Sequence, residues 1–221
     1  MRQIAIDGPA GAGKSTIAKN IAEKLGFVYI DTGAMYRTLA LACIKGGVDL
    51  TDEEAVCDTA DTAVLDIKYI DGIQHMFLYD EDVSSDIRTE EVSKAASDTS
   101  KYARLRKRLV SLQQDLAEKY NVIMDGRDIG TVVLPDADLK IFLTASVEVR
   151  AERRFKEYEQ KGIKCDIKTL EEEIAQRDHN DSHRSNSPLK QAEDAQLIDT
   201  SDMSIEEVTD LIIRLYGEKL K

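Results

Sequence analysis

Tryptophan is absent from this 221-residue chain, and proline, cysteine and histidine occur three times each. No apolar run approaches the roughly 20 residues that a membrane-spanning helix needs, so no membrane partner is expected. Cys43, Cys57 and Cys165 give neither C-x-x-C nor an even framework. That excludes a disulfide scaffold and predicts a reducing, cytoplasmic setting. His75, His179 and His183 lack metal-ligand spacing. Positive charge is the scarcer sign: 30 Lys and Arg against 42 Asp and Glu give a net charge of −12. This balance argues against a grip on duplex nucleic acid, which calls for a basic patch. Anionic ligands must then be met by local arginines against an unfavourable field. An apolar strand pattern begins within the first few residues, so no signal peptide is expected. The chain also lacks the N-K-x-D of guanine-reading GTPases and an ABC-type signature.

What is present is Gly8-Pro9-Ala10-Gly11-Ala12-Gly13-Lys14-Ser15-Thr16, a G-x-x-x-x-G-K-[ST] phosphate loop. Before it runs Gln3-Ile4-Ala5-Ile6-Asp7, suited to a buried parallel strand. After it, Ile17, Ala18, Ile21, Ala22 and Leu25 recur at helical spacing, with Gly26 as the stop. Strand, loop and helix start follow in the order that aims backbone N–H groups at a phosphate chain. Lys14 supplies a cation to the β/γ oxygens and Ser15 a hydroxyl to Mg²⁺. This pattern predicts a site for ATP or another nucleoside triphosphate.

Further buried strands are predicted at Phe27–Thr32, Val122–Gly126, Lys140–Leu143 and Gln196–Asp199, with helices between them. Within this alternation, Val64–Ile70 and Met76–Tyr79 flank Asp71-Gly72 and read as an antiparallel hairpin. A helix over 101–119 packs Leu105, Leu109, Leu112 and Leu116, with Arg104, Arg106, Lys107 and Arg108 by default a solvated face. Thr169 opens a capped helix, and Ser204-x-x-Glu207 opens the last one, with Ile205, Val208, Leu211, Ile212 and Leu215 inward. The fold expected is a doubly wound, five-stranded parallel α/β P-loop sheet with an inserted antiparallel β subdomain and a short helical lid. Ligands bind at the carboxyl ends of such strands. Asp7, Asp31 and Asp125 fall there, with Asp125 in the position that steers Mg²⁺ through water.

The second ligand must be read from arginines. Arg127-Asp128 follows the third sheet strand and offers a phosphate fork beside a polar acceptor. Arg150 and Arg154 share a helix face after the fourth. From Leu170 and Ile174 the same face of the next helix continues through Arg177, Asp181 and Arg184. Each of these patterns has a bland counterpart, a surface ion pair or a structural network.

In this order and spacing, G-P-A-G-A-G-K-S-T, D-T-G-A-M-Y-R, G-R-D-I-G-T-V-V-L-P-D-A and R-D-x-x-D-x-x-R resemble the bacterial cytidylate (CMP) kinases, nucleoside monophosphate kinases. The resemblance covers nearly the whole chain. It implies ATP-dependent phosphorylation of CMP and dCMP in pyrimidine nucleotide metabolism, by a cytoplasmic monomer. One kinase domain over 1–221 is implied, with core 1–36, 99–149 and 165–221. A monophosphate-binding insert would occupy about 37–98 and a lid about 150–164. Arg37, Arg127 and Arg184 would hold the CMP phosphate, and Arg177 and Asp181 the sugar. Thr32 also falls in the CMP set, while Ser97, Arg106 and Asp128 would read the cytosine. Arg150, Arg153 and Arg154 match lid positions that close on the transferring group, with Lys14 as their catalytic partner. Asn180 stands where some relatives carry another basic residue. The sequence leaves two rivals: a kinase for another small acceptor on the same core, and a non-catalytic nucleotide sensor.

Overall fold

The computed structural model describes residues 1–220. In chain order its first half holds β1 (Gln3–Asp7), α1 (Lys14–Leu25), β2 (Val28–Asp31), α2 (Thr32–Lys45), α3 (Glu53–Thr62), β3 (Leu65–Ile70), β4 (Ile73–Leu78), β5 (Glu81–Asp82), α4 (Glu90–Thr99) and α5 (Ala103–Lys119). The second half holds β6 (Val122–Gly126), β7 (Leu139–Thr144), α6 (Val147–Gln160), α7 (Ile167–His183), β8 (Gln196–Asp199) and α8 (Ile205–Lys219). The chain forms two compact units, one of residues 1–29 and 119–221 and one of residues 30–118.

The first unit is built on a five-stranded sheet in the order β2-β6-β1-β7-β8, whose edge strand β2 runs on into the other unit. β1 lies parallel to both β6 and β7, and β7 parallel to β8. The doubly wound P-loop sheet expected from the sequence is thus observed. Its central strands are covered on both faces, hence their continuous apolar runs. Ile4, Ile6, Ile123, Ile141 and Leu143 meet Ile17 and Ile21 of α1 in one core. The register sets Asp7 opposite Gly126 on one side and Phe142 on the other. Three strand ends therefore release their loops together, at the edge where such sheets bind ligands.

The second unit combines α2 to α5 with an antiparallel sheet in the order β3-β4-β5. The predicted hairpin is there, pairing Leu65 with Leu78 through to Ile70 with Ile73. The third strand, Glu81–Asp82, was not foreseen: two exposed acidic residues carry no strand signal. This unit spans 30–118, wider at both ends than the insert of about 37–98 read from the sequence.

Five local expectations change. β8, expected to be buried, lies at the sheet edge with Ile198 buried and Leu197 exposed. Thr32 opens α2 instead of ending β2, because Asp31 accepts the Ala34 N–H at 2.8 Å and caps the helix. α7 begins at Ile167, two residues ahead of Thr169, because Asp166 supplies the cap. On α5 the buried stripe runs Leu105, Leu109, Gln113 and Ala117, with Arg106 beside it, whereas Leu112 and Leu116 are half-buried. Ile205 is 51% exposed, since the first position after the Ser204 cap faces away from the stripe Val208, Ile212 and Tyr216.

Candidate active site

The phosphate loop leaves β1 at Gly8, where side-chain space is absent: a Cβ would lie 1.9 Å from the Leu143 carbonyl oxygen. At the other end Gly13 takes φ 86° and starts α1 without a side-chain cap or an acidic first turn among the described residues. The first amides of α1 and the positive end of its dipole are thus left for an anion. Lys14 is buried and donates to the Pro9 carbonyl at 2.7 Å. Burial, helped by the Arg127 charge, pulls its ammonium down to about 7 against the opposing pull of Asp125, Asp7 and Asp181. A cation held under such a penalty is primed for a multiply charged anion.

Asp125, near the end of β6, accepts the Ser15 hydroxyl at 2.9 Å and the Tyr29 hydroxyl at 2.7 Å. The two residues read as a magnesium pair are therefore adjacent. A hydroxyl and a carboxylate are both hard oxygen donors, so the pair fits that ion. No group of three or more His, Cys, Asp or Glu positioned for a metal occurs among the described residues. A Mg²⁺ held here would take most of its ligands from water and phosphate, as that ion commonly does.

Next to this lies a tight ion cluster. Arg127 donates from Nε to Asp181 at 2.7 Å and from Nη1 to the Gly126 carbonyl at 3.2 Å. Arg184 reaches Asp128 at 3.9 Å and donates to the Ser187 carbonyl at 2.6 Å. Although burial works the other way, the charges of Arg127, Arg177 and Arg184 hold Asp181 below the ordinary carboxylate range. The stripe on α7 does what its spacing implies: Leu170 and Ile174 pack inward and Asp181 follows them into the cluster. The structure thus unites Arg127, Asp128, Arg177, Asp181 and Arg184 in the unit that carries Lys14, Ser15 and Asp125.

The α6 arginines are engaged with protein groups. Arg150 grips Asp178 through Nη1 and Nη2, at 3.0 and 2.6 Å, and donates from Nη1 to the Ala10 carbonyl at 3.0 Å and from Nε to the Ala145 carbonyl at 2.9 Å. Its side chain is only 4% exposed. Arg150 thereby links the phosphate loop to α7. Arg153 donates to the Thr200 carbonyl at 2.7 Å, and Arg154 to the Tyr158 hydroxyl at 2.7 Å.

The other expected CMP residues belong to the second unit. Arg37 pairs with Asp31 at 3.0 Å. Arg106 is buried, lies 5.3 Å from the Tyr36 ring centroid and donates to the Ser100 carbonyl at 3.0 Å. It therefore leaves the solvated face that its charge run suggested. Ser97 is half-buried on α4 and Thr32 is buried at the start of α2. Sequence reasoning missed Tyr29, Asp31 as the partner of Arg37, and Asp178. For Asp178 the only signal was its place beside Arg177 in R-D-x-x-D.

A family model described as "Cytidylate kinase" matches residues 4–218. The cytidylate kinase of Lactobacillus johnsonii is 50% identical over 221 residues, spanning 100% of this chain and 96% of that protein. That of Caldicellulosiruptor bescii is 51% identical over 218 residues, spanning 99% and 96%. Among solved structures, shikimate kinase from Bacteroides thetaiotaomicron matches with a TM-score of 0.50 at 13% identity, over 98% of each chain. That likeness concerns the fold alone.

Proposed function

The chain belongs to the cytidylate kinase family, and from that membership we propose how its residues carry the phosphorylation of CMP by ATP. It is an enzyme, a nucleoside monophosphate kinase. The observation that carries the reading is one shared strand edge. The phosphate loop with its buried Lys14 and the loop bearing Arg127 leave the same end of one sheet, and Arg127 there pairs with Asp181 of α7.

Residues 8–16 take the donor phosphates through backbone N–H groups, and Lys14 exchanges the Pro9 carbonyl for phosphate oxygens. Ser15 would hold Mg²⁺ directly and Asp125 through water; bound there, the ion would neutralise charge between the β- and γ-phosphates. Arg127 and Arg184 take the acceptor phosphate, Arg177 and Asp181 the sugar, and Asp128 accepts from the cytosine amino group. Thr32, Arg37, Ser97 and Arg106 are proposed CMP contacts on the family resemblance. The lid is assigned to about 150–164, with Arg150, Arg153 and Arg154 closing on the transferring phosphoryl group, Arg150 leaving the Ala10 carbonyl and Asp178 to do so. The attacking phosphate oxygen is already anionic near neutral pH, so transfer in line needs alignment and charge stabilisation and no general base. dCMP is the second acceptor, and the setting is a cytoplasmic monomer serving pyrimidine nucleotide metabolism.

An ADP-release assay across CMP, dCMP, UMP, AMP and shikimate tests this. CMP and dCMP should give the highest kcat/KM; ADP release driven best by another acceptor would refute the reading. Tight ATP binding with no acceptor-dependent turnover would point to a sensor.

A further inference from the structure

Asp7 closes β1 and is 4% exposed. It takes no part in the chemistry above, yet a carboxylate so placed is costly, and burial pushes it up to about 6. Both its oxygens are used: Oδ1 accepts the Ile129 N–H at 2.8 Å and Oδ2 the Gly130 N–H at 2.7 Å. Those amides open the π-helical turn Ile129–Val133, which follows directly on Arg127 and Asp128. The register sets Asp7 beside Gly126, so the carboxylate reaches across one strand end to clasp the turn beyond it. The clasp is tight on its far side too. A Cβ on Gly130 would lie 3.4 Å from Asp7 Oδ2 and 3.2 Å from Lys140 Cδ.

Two converging N–H donors call for a group that only accepts. A carboxylate meets both, whereas an amide meets one and turns its NH₂ on the other. We propose that Asp7 is a positioning residue for the acceptor nucleotide, fixing the Ile129–Gly130 turn and through it Arg127 and Asp128. Asp7 thus ties the strand that delivers the phosphate loop to the turn that presents the acceptor. The inference rests on the reading of Arg127 and Asp128 as acceptor contacts.

The test is steady-state kinetics of wild type, Asp7→Asn and Gly130→Ala, each with CMP and ATP varied and a melting temperature recorded. Asp7→Asn should raise KM for CMP about tenfold, equivalent to about 1.4 kcal/mol, and raise KM for ATP by less than about threefold, because strand pairing by β1 is untouched. Gly130→Ala presses on the same clasp from outside and should give the same split, smaller. If Asp7→Asn does not fold, Gly130→Ala decides alone. Equal rises in both KM values, or no rise for CMP, would overturn the assignment. A wild-type protein that releases no ADP with CMP would instead sink the kinase reading beneath it.

Discussion

At the scale of single residues, function is written as unfavourable burial. Lys14 is held in a site that penalises its charge, so Lys14→Ala should leave the melting temperature unchanged or higher while lowering kcat by at least about 10²–10³. Near-normal turnover would remove the lysine from the mechanism. Asp128→Ala should cost more with CMP than with UMP, because only cytosine loses an acceptor for its amino group. Equal losses in kcat/KM would move base reading elsewhere. Asp7 sets a pH dependence. Its folded value of about 6 lies above its ordinary 3.8, so the folded state holds that proton more tightly. The stability it contributes is complete below about pH 4 and is lost as pH rises through about 6. Relative to Asp7→Asn, whose amide does not titrate, wild type should lose about 3 kcal/mol over that window, read by denaturant unfolding at each pH. A flat difference would mean that the two N–H bonds cancel the burial penalty. The charges of G-R-D and R-D-x-x-D-x-x-R were legible as types in a pattern. Their partners were not: Arg127 chooses Asp181 across 54 positions, a pairing that only the fold creates.

At the scale of elements, what could be read were strands with one continuous apolar run and helices with their own caps. Gln3–Asp7, Val122–Gly126 and the Ser204–Glu207 capping box appear where the sequence placed them. What could not be read depended on partners far along the chain. By sequence α6 reads as a charged, exposed helix because its charged residues outnumber its apolar ones, yet Arg150 is sunk between Ala10 and Asp178. Removing one partner of such a pair strands the other. Asp178→Ala should cost about 2–4 kcal/mol, slightly under the range for fully buried pairs, since Asp178 keeps 24% of its side chain exposed. It should also raise KM for ATP, because Arg150 then loses its hold beneath the Ala10 carbonyl. Adding Arg150→Met should cost less than the sum of the single changes. Additive losses in a double-mutant cycle would show that the two side chains act separately.

At the scale of the whole molecule, an enzyme for two polyanions carries a net charge of −12. Its first unit does not offset this locally: Lys14, Arg127, Arg177 and Arg184 sit among Asp7, Asp125, Asp128 and Asp181. The four cations are balanced by four carboxylates, so in the proposed role they would select a phosphate at contact and do little to draw one in from a distance. The long-range field is then set by the acidic surface, which repels nucleotides. That repulsion is felt fully at low salt and shrinks as the Debye length falls from about 30 Å at 0.01 M to about 8 Å at 0.15 M. Most anion-binding sites lose affinity along this path. Here kcat/KM for CMP should rise a few-fold between those two salt concentrations, with magnesium held saturating. A steady fall instead would show that the arginines dominate the approach as well as the grip, and that the carboxylates among them are pushed aside before the nucleotide arrives.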